Sequence, residues 1–85
     1  MSAKRISELR GLGVVSARWL ESVGINDEED LRVLGAVEAF ARVRLAAAPK
    51  ASLNLLYALE AALMNVDWRS LPPELKRSLR EQLVL

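Results

Sequence analysis

The 85-residue sequence contains no cysteine and no histidine. The first absence removes disulfides, thiolate zinc sites and cysteine nucleophiles. The second removes the usual general base at neutral pH. A metal ion would then depend on carboxylates alone. These cluster mainly in Asp27-Glu28-Glu29-Asp30, a run without EF-hand spacing. That run reads instead as the first turn of a helix, where negative charge is stabilised. Aromatic residues are few, with two Trp, one Tyr and one Phe. The longest clean apolar run, Leu55 to Leu59, falls far short of the ~20 residues of a membrane span. No secretory leader precedes the mixed sequence around Lys4 and Arg5. The expectation is a cytoplasmic, non-enzymatic chain with no catalytic residue, no cofactor, no metal and no membrane partner.

What is present suits one small globular unit. Apolar residues make up 52% and charged residues 27%, enough apolar surface to offset the entropy of ordering. A chain this short buries roughly 60% of its unfolded surface, which supports one core and no second domain. The formal net charge is +1, but it is unevenly spread. Residues 1–24 carry Lys4, Arg5, Arg10 and Arg18 against Glu8 and Glu21, for +2. Residues 25–35 hold four acids against Arg32, for −3, and residues 36–50 return to +2. Two weakly basic segments thus flank an acidic one, a pattern that fits either a local basic face or ordinary solvated surface.

Glycine and proline divide the chain into helical segments. Lys4 to Arg10 carries Ile6 and Leu9 at i, i+3 and ends at Gly11. Val14 to Val23 places Ala17, Trp19 and Leu20 on one side and stops at Gly24. Asn26 with Glu29 reads as a capping box opening a helix to about Leu34. Gly35 separates this from a helix around Ala36 to Ala46, with Val37, Phe40 and Val43 inward, closed by Pro49. Ser52 to Met64 is apolar on nearly every face, as a buried central helix should be. Pro72-Pro73 opens a last helix in which Leu71, Leu75, Leu79 and Leu83 recur every four residues. The fold class expected is all-α, a compact bundle of about six short helices in one domain over residues 1–85. A hairpin repeat would occupy about 3–46, and the core and C-terminal helices about 52–83.

The repeat has a period of 22 residues. Leu9-Arg10-Gly11-Leu12-Gly13-Val14-Val15-Ser16-Ala17 aligns with Leu31-Arg32-Val33-Leu34-Gly35-Ala36-Val37-Glu38-Ala39, with Leu, Arg, Leu, Gly, Val and Ala in register. Such a period implies a supersecondary unit used twice. In the first unit Leu12 sits between Gly11 and Gly13, a glycine-flanked turn anchored by an apolar residue that resembles the helix-hairpin-helix motif. Glycine permits positive φ and close backbone approach. The helix that follows begins with free N–H groups at Gly13, Val14 and Val15, backed by the positive end of its dipole. Such a corner suits a phosphate oxygen and grips a DNA backbone without reading bases. The candidate nucleic-acid contacts are therefore Arg10, Gly11, Gly13, Val14, Val15, Ser16 and Arg18. The same corner also serves as a plain compact turn or a protein-contact surface, and Val14 and Val15 stand where a basic residue would strengthen the DNA reading. The second unit, with Val33 in place of Gly11, carries the signal more weakly.

Several longer stretches extend the likeness. Gly11 to Leu20, Val23-Gly24-Ile25, Asp30-Leu31-Arg32 and Leu34 to Phe40 together resemble the C-terminal domain of the TfoX/Sxy proteins. So do Ser52-Leu53-Asn54-Leu55-Leu56-Tyr57-Ala58-Leu59-Glu60 and Trp68 ahead of Leu71-Pro72-Pro73-Glu74. The resemblance spans roughly residues 8–82 and implies a small all-helical domain related to helix-hairpin-helix folds. It also implies a part in regulating DNA uptake, where full-length members act with the cyclic-AMP receptor protein at competence promoters. Those members carry an α/β N-terminal domain with no counterpart in this sequence.

Two function classes follow. One is a regulatory module touching double-stranded DNA through the first hairpin. The other is a protein-interaction module that docks a transcription regulator, RNA polymerase or a separate N-terminal domain. An enzyme is not expected: Lys4, Lys50 or Lys76 with Asp67 is the nearest approach to a glycosylase-like pair, and no second domain is present to form a base pocket. Of Ser52, Asn54, Tyr57 and Glu60 in the central string, Asn54 and Tyr57 share a helix face, and structural roles are expected, with a functional polar patch as the alternative. Trp19 and Trp68 are expected as core anchors, with an exposed contact as the alternative for either.

Overall fold

In the computed structural model, which describes residues 4–83, the chain opens with backbone pairing rather than a helix. Arg5 forms an isolated antiparallel bridge with Asp27, and Glu28 N donates to Lys4 O at 2.8 Å. A single 3-10 turn follows over Ile6–Glu8. Then come α1 (Val14–Ser22), α2 (Glu28–Leu34), α3 (Ala36–Ala46), α4 (Leu53–Met64), a second 3-10 turn (Trp68–Ser70) and α5 (Pro73–Leu83). The all-α expectation holds, but among the described residues there are five α-helices rather than six. The helix expected over Lys4 to Arg10 is the one replaced. Pairing with the start of α2 draws Lys4 and Arg5 into extended backbone, and Glu8 Oε1 accepts from Arg5 N at 2.9 Å, closing one turn only.

The helix ends follow from local chemistry. Ile25 N donates to Leu20 O at 2.9 Å and Gly24 N to Glu21 O at 3.1 Å, the Schellman pattern expected of Gly24. Asn65 closes α4 in the same way from the left-handed conformation, with Val66 N on Ala61 O. The expected capping box at Asn26 and Glu29 is displaced by one residue. Asp27 Oδ1 accepts from Asp30 N at 2.8 Å, and Asp30 Oδ2 accepts from Asn26 N at 3.0 Å. A carboxylate makes the stronger, charge-assisted acceptor, and the bridge to Arg5 already holds Asp27 extended.

Helices α2 and α3 are joined through one residue. Gly35 N donates to Leu31 O at 2.8 Å, ending α2, while its carbonyl accepts from Ala39 N at 3.1 Å, starting α3. Its φ of 83° and ψ of 162° lie in a region open essentially to glycine alone. The two repeat units therefore share some features and differ in others. Leu9 and Leu31 are both buried, as are Ala17 and Ala39, and Gly13 and Gly35 both cap the following helix. The first unit, however, begins with a 3-10 turn and takes its positive φ at Gly11, two residues earlier.

Helix α4 lies at the centre, packed against α2, α3, α5 and the second 3-10 turn. Leu56 and Leu59 are fully buried, together with Phe40 and Val43 of α3, Leu20 of α1 and Leu31 of α2. Helix α5 closes one side with Leu79 inward, and Leu75 and Leu83 half-buried behind it. Tyr57 on α4 is buried, and its hydroxyl accepts from Arg80 Nη1 at 2.8 Å. Lys76 Nζ lies 5.3 Å from the Tyr57 ring centre and 5.6 Å from that of Trp68. The expected structural role of Tyr57 is thus the anchoring of α5.

The Gly35 junction gives a direct test of this architecture. A Cβ there meets nothing within 4 Å, so the cost of Gly35→Ala is conformational alone, about 1–3 kcal/mol. Gly13→Ala, at φ −94°, should cost less than about 1 kcal/mol. Urea denaturation midpoints measure both, and equal losses would contradict the junction geometry.

Candidate functional site: a groove between two open helix starts

The Gly11-Leu12-Gly13 turn buries Leu12 and leaves both flanking glycines exposed, but it joins a 3-10 turn to α1 rather than two helices, so the expected tandem helix-hairpin-helix repeat is not confirmed. Gly13 is the extended N-cap of α1, no side chain caps this end, and no acid lies in its first turn. The first helical hydrogen bond runs from Ala17 N to Gly13 O at 3.0 Å. The N–H groups before it have no partner within the helix. Val14 and Val15 are 64% and 59% exposed, so this helix start faces solvent. The second unit differs sharply. Ala36, at the equivalent of Val14, is 3% exposed, and Glu38 lies in the first turn of α3. Only the first hairpin presents an accessible corner.

Beside that corner runs an open groove of about 850 Å³. Gly11, Ser16 and Trp19 form one wall, and the α3–α4 linker from Ala47 to Ser52 forms another. Asn54, Leu55 and Ala58 of α4 line its floor, and Trp68 closes an end. The linker takes this path because Ala47 N and Ala48 N both donate to Val43 O, after which Pro49 turns the chain away from the helix axis. It delivers Ser52 as the extended N-cap of α4, again without a capping side-chain hydrogen bond and without a first-turn acid. Helices α2, α3 and α5 each carry an acid in the first turn. Helices α1 and α4 do not, and their starts border the same groove. Among the described residues, Lys50 is the one charged side chain lining it.

The seven expected contact residues are therefore distributed over more than one surface. Gly11 and Ser16 line the groove; Gly13, Val14 and Val15 form the helix start at its edge; Arg18 is exposed on α1. Arg10 belongs to a different cavity, with Lys4 and Arg32. Lys50 was not anticipated at the site, while Ser52, Asn54 and the two tryptophans, expected chiefly in structural roles, also line the groove. Trp19 packs against the core as expected and lines the groove as well. Trp68 is 38% exposed, lines the groove from the second 3-10 turn and is not a core anchor. The carboxylate-free stretch from residue 39 to 59 was the available signal for the linker and the start of α4.

The sequence profile of the TfoX C-terminal domain matches residues 2–83. The chain belongs to that family. Two crystal structures of Listeria monocytogenes proteins share the TfoX C-terminal fold seen here. One, an uncharacterized protein in a triclinic form, has a TM-score of 0.85 at 31% identity, covering 92% of this chain and 88% of its own. The other, a protein of unknown function in a tetragonal form, has a TM-score of 0.84 at 30% identity, covering 93% and 95%. No curated protein sequence matches significantly.

Beside the groove of this TfoX C-terminal domain, Asp67 accepts from Arg69 Nε at 3.2 Å and Nη2 at 3.0 Å, and from Arg69 N at 2.9 Å. The Arg69 side chain, then its backbone N–H, lowers the carboxyl to about 2, with a smaller through-space effect of Arg10. Because the folded value lies below the unfolded one, this contribution to stability is complete above about pH 4 and fades as pH falls toward 2. Asp67→Asn should flatten the loss of stability between about pH 4 and 2 and leave its pH dependence above pH 5 unchanged. Denaturant midpoints across that range measure the difference, and parallel acid limbs for the two proteins would contradict the assignment.

Proposed function

We propose that this TfoX C-terminal domain is a non-enzymatic regulatory module that contacts the DNA phosphate backbone along the groove edge. The contacts would run from the first hairpin to the start of α4. One observation carries the reading: the two α-helices that start without a capping side chain or a first-turn carboxylate start beside the same groove. Free N–H groups and a positive dipole end suit an anion at each place. Arg18 and Lys50 add charge nearby. Each exposed helix-start contact is worth about 0.3–1 kcal/mol, so binding is weak and independent of base sequence.

A second reading has its own support. Trp19, Trp68, Leu55 and Pro49 give the groove apolar walls, and Val14 and Val15 extend an apolar surface at its rim. Those features suit a docked protein segment, such as part of a transcription regulator.

Titration of a fluorescent duplex separates the two. Contact with two or three phosphates gives a slope of log K against log salt of roughly −2 to −3. Val14→Glu and Asn54→Glu each put a carboxylate in the first turn of one open helix, which the helix itself tolerates. Each should weaken duplex binding about two- to fivefold. Val33→Glu, the same charge change at a site 80% exposed on α2, should have little effect. No binding at about 50 mM salt, or equal losses in all three variants, would overturn the DNA reading.

A further inference from the structure

The 22-residue repeat places arginine after leucine in both units, and the fold brings those two arginines to one cavity. Leu9 and Leu31 are buried, so Arg10 and Arg32 emerge at the surface beside them. They line a cavity of about 440 Å³ together with Lys4, Glu28 and Asn65, over an apolar floor that includes Leu63. Lys4 is held there by the hydrogen bond from Glu28 N to its carbonyl and by the neighbouring Arg5–Asp27 bridge.

The charges do not cancel. Three cations face one carboxylate, and Glu28 Oε1 is already engaged by Arg32 Nη2 at 3.1 Å. Asp67, which feels Arg10 through space, has both of its oxygens held by Arg69. Lys4 and Arg10 form no ion pair among the described residues. Guanidinium groups present flat pairs of donors that match phosphate oxygens, and an ammonium adds a point charge. The volume lies at the lower end of the range typical of small-ligand sites.

We propose that the cavity bounded by Lys4, Arg10 and Arg32 is a phosphate-binding site, taking the phosphate group of a small organic phosphate or of a nucleic-acid backbone. The site is separate from the groove and does not rest on the DNA reading. Arg10 and Arg32 fork onto the phosphate oxygens, Lys4 supplies the third charge, and Asn65 offers an amide donor. The apolar floor accommodates whatever carries the phosphate. Glu28 competes with the ligand for Arg32, so the carboxylate restrains affinity.

Nuclear magnetic resonance of the arginine Nε–H groups provides the test, with ionic strength held constant by chloride. The probes are inorganic phosphate, adenosine monophosphate and adenosine. Inorganic phosphate and adenosine monophosphate should shift Arg10 and Arg32 with half-saturation below about 10 mM, and adenosine should not. Arg10→Gln and Arg32→Gln should each weaken the effect about tenfold, while Glu28→Gln should strengthen it. Val14→Glu, at the edge of the groove, should leave it unchanged, which separates this site from the DNA contact. A duplex that displaces adenosine monophosphate would identify the backbone as the phosphate source, and failure to displace it would identify a small organic phosphate. No shift with either phosphate compound, or shifts indifferent to both arginine substitutions, would overturn the proposal.

Discussion

Helix α4 carries apolar side chains in almost every direction, so each neighbouring element must cover part of it. In an 85-residue chain there is surface enough for one such arrangement. Helices α2, α3 and α5 and the second 3-10 turn all pack on it. The remaining geometry is what this packing requires. Gly35 lets α2 and α3 meet through one residue, and Arg80 with Lys76 fixes α5 over Tyr57. The linker from Ala47 to Ser52 must climb from the end of α3 to the start of α4, and in doing so it forms one side of the groove.

Carboxylates are sorted in the same structure. The acidic run at residues 27–30 caps α2 and fills its first turn, where it stabilises that helix and closes it to anions. Glu38 and Glu74 act likewise at the starts of α3 and α5. Helices α1 and α4 give up this stabilisation. With a net charge of only +1, the domain has no broad basic field, so attraction for an anion at the groove would come from where acids are withheld, and elsewhere from a local cluster of cations such as Lys4, Arg10 and Arg32. Both tryptophans line the groove, Trp19 while also packing against the core and Trp68 from a partly exposed position.

Much of the fold was legible because its signals are local. The glycine at the end of α1, the proline after α3, the all-round apolar character of α4 and the four-residue leucine spacing of α5 each act within a turn or two. The site was less legible because it depends on which way side chains leave the backbone. Arg10 and Gly11 are neighbours in sequence yet line different cavities. Trp68 looked like a core residue because it is large and apolar, but its 3-10 turn presents it at the groove. The N-terminal segment lost its expected helix to a long-range pairing with Asp27, which no local periodicity reveals. The same pairing moved the cap of α2 from Asn26 to Asp27.

The central claim is that α1 and α4 present their open starts to one common ligand surface. Backbone amide spectra recorded during addition of a short DNA duplex test it most directly. The account predicts that the amides of Val14, Val15, Leu53 and Asn54 shift together along a single binding curve, with the α3 start at Ala36 unmoved. Shifts at the first hairpin alone, or centred on α2 and α3, would contradict it.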